Sequence, residues 1–275
     1  MPPPETTSIR ASIPLLMLFQ VSALFIREFV RLKISQAGFD AASAKHLSAL
    51  AGFLALAVFM WPLLRGQWHH VRTFFRSPDS WGRLVTCSLG IGLALRLASW
   101  SFLIAGVLLG WRGSVDAASA AGPVFWWACP PGIYILLSIL VMVVLTPLVE
   151  ELINRGLILS SLAHSNRRLA IVVSTLTFTA LHAPRDIPIA FVFGLVAAAQ
   201  MLTVRSLWGP LIAHATFNLM TTFDWDCLTG VWSPPALSVS SGTMLLGVGF
   251  LAIGIAGWLA TKASAGAKDY PGTDH

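Results

Sequence analysis

Charge is what this 275-residue chain has least of: Asp, Glu, Lys and Arg make up 11% of it, against 56% hydrophobic residues and a mean hydropathy of +0.74. A soluble domain covers its surface with roughly 25–35% charged side chains, whereas lipid-facing helices can stay apolar all round, so a water-exposed globule is excluded. No stretch is polar enough to form a separate soluble domain. Cysteine is sparse too. Cys87, Cys129 and Cys227 are odd in number, far apart and without CxxC spacing, which excludes a disulfide framework and leaves ordinary core residues. The net charge of +6 comes from Lys and Arg scattered through short connections. Lacking a basic run interleaved with aromatics, the chain offers nothing to grip nucleic acid, and the basic residues read as topology determinants. Internal repeats and long low-complexity tracts are also missing.

What is present is a series of apolar segments near 12–26, 47–64, 84–110, 131–163, 169–183, 187–204, 208–222 and 243–260. The expected fold class is all-α, a polytopic transmembrane bundle of about eight helices. The first segment and the three between 169 and 222 are short for a span of about 20 residues. The first is read as a retained anchor closed by Arg27 and Glu28, since no small-residue cleavage site follows it. Breakers such as Arg76-Ser77-Pro78-Asp79 and Ser233-Pro234-Pro235 mark connections, and the polar tail from Lys262 is expected to be disordered. Both termini are placed inside by the basic connection around Arg65, Arg72, Arg76 and Arg83, by Arg167-Arg168, by Arg205 and by Lys262 and Lys268. The connection with Asp224 and Asp226 then falls outside, while Arg27, Arg31, Lys33 and Lys45 run against this orientation. The organisation is read as N-terminal helices over 1–130, a core over 131–222, and a last helix with tail over 223–275.

Within the core, Glu150 and Glu151 stand side by side in VVLTPLVEELINRGLIL, with Arg155 one turn beyond. Carboxylates in hydrocarbon are expensive, at least about 2.5 kcal/mol on insertion scales, so they pair, face a water-filled cavity, or do chemistry. Two later segments offer partners: FTALH from Phe178 to His182, and HATFN from His214 to Asn218, the latter pair spaced to share a helix face. If the hairpin over 131–183 turns at Asn166, Glu150 and His182 lie 16 residues to either side and share a depth roughly 24 Å from the turn. Pro147 after Thr146 can kink the helix or restart it ahead of the acids. His214 is about 8 residues past Ser206, so its helix must tilt or begin deep to reach the same level.

Structural roles compete at each position. Glu151 and Arg155 have the favourable i,i+4 order for an internal ion pair. Asn154 could solvate a protonated Glu150. His182, close to Pro184, could merely end a helix, His214 could be a satisfied core histidine, and Asn218 could bond a neighbouring helix. Glu150, as an unpaired intramembrane acid, reads as functional. His69-His70, His164 and His275 read as solvated. Gly106 and Gly110 form a GxxxG read as close packing within the bundle, with dimerisation second. Arg96, inside the third segment, either snorkels or answers an acid.

Taken in order, Glu150-Glu151-xxx-Arg155, Phe178-xxx-His182 and His214-xxx-Asn218 resemble the three motifs of the CAAX-processing and bacteriocin-processing intramembrane proteases, a resemblance covering about 133–222. It implies an all-helical membrane fold of about eight helices and peptide-bond hydrolysis without a covalent intermediate. Glu150 and His182 would activate water, His214 and Asn218 would stabilise the oxyanion, and Glu151 and Arg155 would support the site. It also implies a membrane-associated or lipidated peptide or protein substrate. A monomer in a bacterial inner membrane is the expectation, with a dimer as alternative.

The residue types suit that chemistry: a carboxylate in apolar surroundings can act as a base and a hydrogen-bonded histidine can pass the proton on. With neither GxSxG nor a serine facing His182, a serine mechanism has little support. No cofactor is expected, but Glu150, His182 and His214 could instead be three ligands of a zinc ion with an open fourth position, although HExxH is lacking. Asn218, a poor zinc ligand, favours the metal-free reading. A proton-coupled transporter, with Glu150 and the histidines as relay, and a non-catalytic immunity or assembly protein are the other classes. Against the transporter, the polar residues converge in one half and the halves show no repeat symmetry.

Overall fold

The computed structural model describes residues 12–39, 41–111, 136–222 and 239–263, and among them every regular element is helical. In chain order the helices are α1 (Ile13–Gln36), α2 (Ala41–Gly66), α3 (Trp68–Phe74), α4 (Trp81–Leu108), α5 (Leu136–Ala163), α6 (Arg167–Thr179), α7 (Ile187–Val204), α8 (Trp208–Thr222) and α9 (Val239–Lys262). Each of the eight apolar segments contains one of these helices. Six helices, all but α3, α6 and α8, are long and apolar enough to cross a membrane. Cys129, Cys227, Asp224, Asp226, the Ser233-Pro234-Pro235 breaker, Lys268 and the tail past Ala263 lie outside the described residues.

Several boundaries differ from the sequence reading. Arg27 and Glu28 do not close α1, which runs on to Gln36, because Arg, Glu and Lys are good helix formers and Arg31 Nε pairs with Glu28 Oε2 one turn away at 2.7 Å. The anchor is thus 24 residues long rather than short. The basic connection between α2 and α4 contains the two-turn helix α3, which buries Val71 and Phe74. The GxxxG reading fails at Gly110, which has φ +69 and no heavy atom within 4 Å of where a Cβ would stand. This residue ends α4: Trp111 N–H bonds the Gly106 carbonyl at 2.8 Å across it, a left-handed helix stop.

The core has two parts. Leu16, Leu56, Met60, Phe74, Ile153, Leu157, Ala198 and Met201 join α1, α2, α3, α5 and α7. Ile91, Leu95, Phe178, Phe193, Ala213 and Ala256 join α4, α6, α7, α8 and α9. The α7 helix takes part in both and ties the halves together. At one end, Arg76 Nε donates to Arg205 O (2.7 Å), Ser206 Oγ to Arg76 O (2.9 Å) and Trp208 Nε1 to Phe75 O (3.1 Å). Two of the basic connections thus lie on the same side of the bundle, as the positive-inside reading required.

Helix α4 passes close against α8 at Gly92, where a Cβ would stand 2.6 Å from both the Ala213 carbonyl oxygen and Thr216 Cβ. We predict that Gly92→Ala destabilises the protein by about 1–3 kcal/mol through overpacking. Gly247→Ala on α9, where a Cβ has open space, should be neutral or stabilising through helix propensity. Thermal unfolding in detergent separates them, and equal melting temperatures would contradict the close approach.

Candidate active site

Helix α5 carries the acids through a widened stretch. Pro147 has no N–H, and its ring opposes the carbonyl four residues back. The chain adopts π-type turns over Ile139–Leu145, α-helix over Thr146–Glu151, and π-type turns again over Leu152–Leu159. It does not restart at Pro147: Leu145 and Thr146 keep helical angles, and Thr146 Oγ1 donates to Val141 O (2.8 Å) instead of capping. Thr146 N–H also bonds Val141 O, five residues back. The next donor in that register would be Pro147. Met142 O is therefore left for an outside donor and accepts Asn218 Nδ2 from α8 at 2.8 Å.

Glu151 and Arg155 are wholly buried. Arg155 Nη1 donates to Glu151 Oε1 at 3.2 Å, and its Nε stands 3.2 Å from Oε2. The guanidinium lies 4.3 Å from the centre of the Phe178 ring and reaches toward Gly194 O at 3.5 Å. The same Oε1 also receives His214 Nδ1 at 2.8 Å. A carboxylate can only accept, so Nδ1 carries the hydrogen in that bond; Nε2 then accepts in the neutral ring and donates in the imidazolium. The ring is packed by Phe193 (4.8 Å between centres) and Phe178 (5.7 Å).

Glu150 is about a quarter exposed, and its Oε2 stands 3.9 Å from His214 Nε2, too long for a direct hydrogen bond. That oxygen is buried and has no hydrogen-bond partner among the described residues. Asn154 does not solvate the Glu150 side chain. Its Nδ2 donates to the Glu150 backbone carbonyl (2.9 Å), while its Oδ1 accepts from Thr177 (3.0 Å) and its carbonyl from Ser174 (2.8 Å). Asn154 is a pin between α5 and α6, and the carboxylate beside it is left to act elsewhere.

His182 lies just past α6, which ends at Thr179, so the helix expected to carry it has already turned. Its Nδ1 meets Phe178 O at 2.9 Å. A carbonyl accepts, so Nδ1 is the protonated nitrogen and Nε2 the basic one. The half-buried His182 ring stacks 4.6 Å from Phe178. The histidine within 4 Å of a Glu150 oxygen is His214, not His182. All three motifs thus share Phe178 as a floor, with Arg155, His182 and His214 around it. Among the described residues, no three His, Cys, Asp or Glu side chains are grouped to hold a metal ion.

Sequence reading missed the Glu151–His214 bond, since a separation of 63 residues has no local signature. It also missed Ser174 and Thr177, polar residues in an apolar helix, and the buried pair of Ser138 Oγ and His46 Nε2, 2.9 Å apart between α5 and α2.

Residues 132–220 match the family model described as type II CAAX prenyl endopeptidase Rce1-like. This segment contains all six candidate site residues and coincides with the span of the motif resemblance. No curated protein and no solved structure gives a match.

Removing one partner from a buried ion pair costs about 3–5 kcal/mol, because the other charge stays buried. We predict a loss of that size for Glu151→Gln and for Arg155→Met. The double variant should lose much less than the sum. A double-mutant cycle on unfolding in detergent checks this, and strict additivity would refute the pairing.

Proposed function

We propose, from the premise that residues 132–220 form an Rce1-like unit, that this multi-pass membrane protein is an intramembrane endopeptidase that cleaves a membrane-associated, lipidated peptide or protein by metal-free water activation. The observation that supports the chemistry most directly is the buried, unpartnered Oε2 of Glu150 facing His214 Nε2 at 3.9 Å. Both atoms can hydrogen-bond a third group placed beside them. Glu150 takes the proton from a water that attacks the scissile carbonyl, and His182, through its basic Nε2, passes the proton to the leaving amine.

The tetrahedral intermediate bears negative charge on oxygen. His214, held by Glu151 at Nδ1, supplies a donor through Nε2 when its ring is an imidazolium. Asn218, whose amide carries two hydrogens and is anchored on Met142 O, supplies the second. Arg155 balances Glu151, so that Glu150, Glu151, Arg155 and the imidazolium sum to zero. The word prenyl in the family's description makes an isoprenylated peptide the first substrate to try, and a bacterial inner membrane remains the proposed location.

Glu150→Gln should leave the protein folded and lower peptide cleavage in detergent at least about 10²-fold. Near-normal turnover in that variant would remove Glu150 as the base. For His214→Ala and Asn218→Ala we expect kcat losses equivalent to roughly 2.7–4 kcal/mol, with the double variant short of the sum. Exhaustive chelation should not silence the enzyme. Stoichiometric zinc whose removal and return switch cleavage off and on would transfer Glu150, His182 and His214 to metal-ligand roles.

A further inference from the structure

Arg96 stands outside everything described so far. It occupies the apolar span Trp81–Gly106 on α4, half-buried, with its guanidinium 4.7 Å from the Trp100 ring centre and 5.8 Å from that of Phe217. Its Nε is buried without a hydrogen-bond partner among the described residues. Asp186, just ahead of α7, is the acid that acts on it through space. An intramembrane arginine is costly and normally paired. The same bundle shows the paired form in Arg155, closed on Glu151 and wholly buried. Arg96 is the open counterpart.

Its position is informative. The side chain turns toward Phe217 on α8 rather than joining the exposed stripe of Leu89, Leu93 and Leu97. Phe217 immediately precedes Asn218 and packs 5.8 Å from Phe193, which in turn lies 4.8 Å from the His214 ring. Asp186 is four residues beyond His182. A cation thus borders the elements that carry His182, His214 and Asn218, with aromatic faces holding its guanidinium plane and part of its donor fork unused. A guanidinium fork matches a carboxylate in shape and charge.

We propose that Arg96 is a substrate-positioning residue that receives a carboxylate of the bound peptide, either the C-terminal one or that of an acidic side chain. This rests on the endopeptidase reading for its substrate class, but it is a statement about binding and can be measured without cleavage.

The test uses the full-length Glu150→Gln chain in nanodiscs of neutral phosphatidylcholine. The probes are dansylated S-farnesyl-cysteinyl peptides with three further aliphatic residues, ending in a free acid or in an amide. A second amide-ended pair carries an internal glutamate or glutamine. One acid-bearing peptide should bind about tenfold more tightly than its neutral twin, and adding Arg96→Gln should bring that ratio close to one. Arg96→Lys, which keeps the charge but not the fork, should give an intermediate ratio and guards against a folding defect in the glutamine variant. Which pair shows the preference identifies the carboxylate. The proposal is overturned if neither pair discriminates, or if discrimination survives Arg96→Gln. It is also overturned if phosphatidylglycerol weakens all peptides equally and only when Arg96 is present, which would make a lipid headgroup its partner. Failure of the endopeptidase reading would show separately, as absence of cleavage by the unaltered chain, and leaves these ratios readable.

Discussion

The Glu151 carboxylate, fully withdrawn from solvent, accepts from Arg155 on its own helix and from His214 on another, and the geometry of the site follows from those two bonds. In an apolar interior a lone carboxylate is far too costly to keep charged, so it must be met by cations or donors at close range. Meeting it fixes the α5 face that presents Glu150, sets the ring plane and tautomer of His214, and draws α8 against α5. Arg155 in turn lies over Phe178, placing the α6 end, and therefore His182, at the same level. One buried charge organises residues from three separate segments.

Backbone groups do the rest of the positioning, and Pro147 is the cause. By withholding an N–H in a helix wound with i→i+5 bonds, it leaves the Met142 carbonyl for Asn218. The widened turns farther along accompany the use of the Asn154 carbonyl by Ser174, which joins α5 to α6. In a membrane, where water does not satisfy stray carbonyls, each freed acceptor has to be answered by a neighbouring helix. Irregular winding here is thus a source of interhelical bonds. It ties α5 to α6 through the Asn154 carbonyl and to α8 through the Met142 carbonyl.

Arg155 and Arg96, both within apolar spans, stand in different surroundings. Arg155 is closed off, balanced by Glu151, and serves the interior electrostatics. Arg96, with aromatic faces and an unused donor, stands beside the helix that carries His214 and Asn218.

The membrane class, the eight apolar helices and the six residues of the three motifs were legible in the sequence, because hydropathy and i,i+4 spacing are local properties of a helix. Glu151 with Arg155 could be read in the same way. Lengths misled where charge was taken to end a helix: α1 passes through Arg27 and Glu28, since those side chains favour helix wherever they can reach water. Equal counting from Asn166 put Glu150 and His182 at one depth but could not say which histidine meets the acid: α6 ends at Thr179, and it is His214 that comes within 4 Å of a Glu150 oxygen. The amide of Asn154 went to a backbone carbonyl, not to the acid, and Gly110 proved to be a helix stop. Those outcomes depend on which groups burial leaves unsatisfied and which neighbour is near enough to answer them. Spacing along one chain does not carry that information, so the partnership of Glu151 with His214, 63 residues away, was decided only when the helices packed.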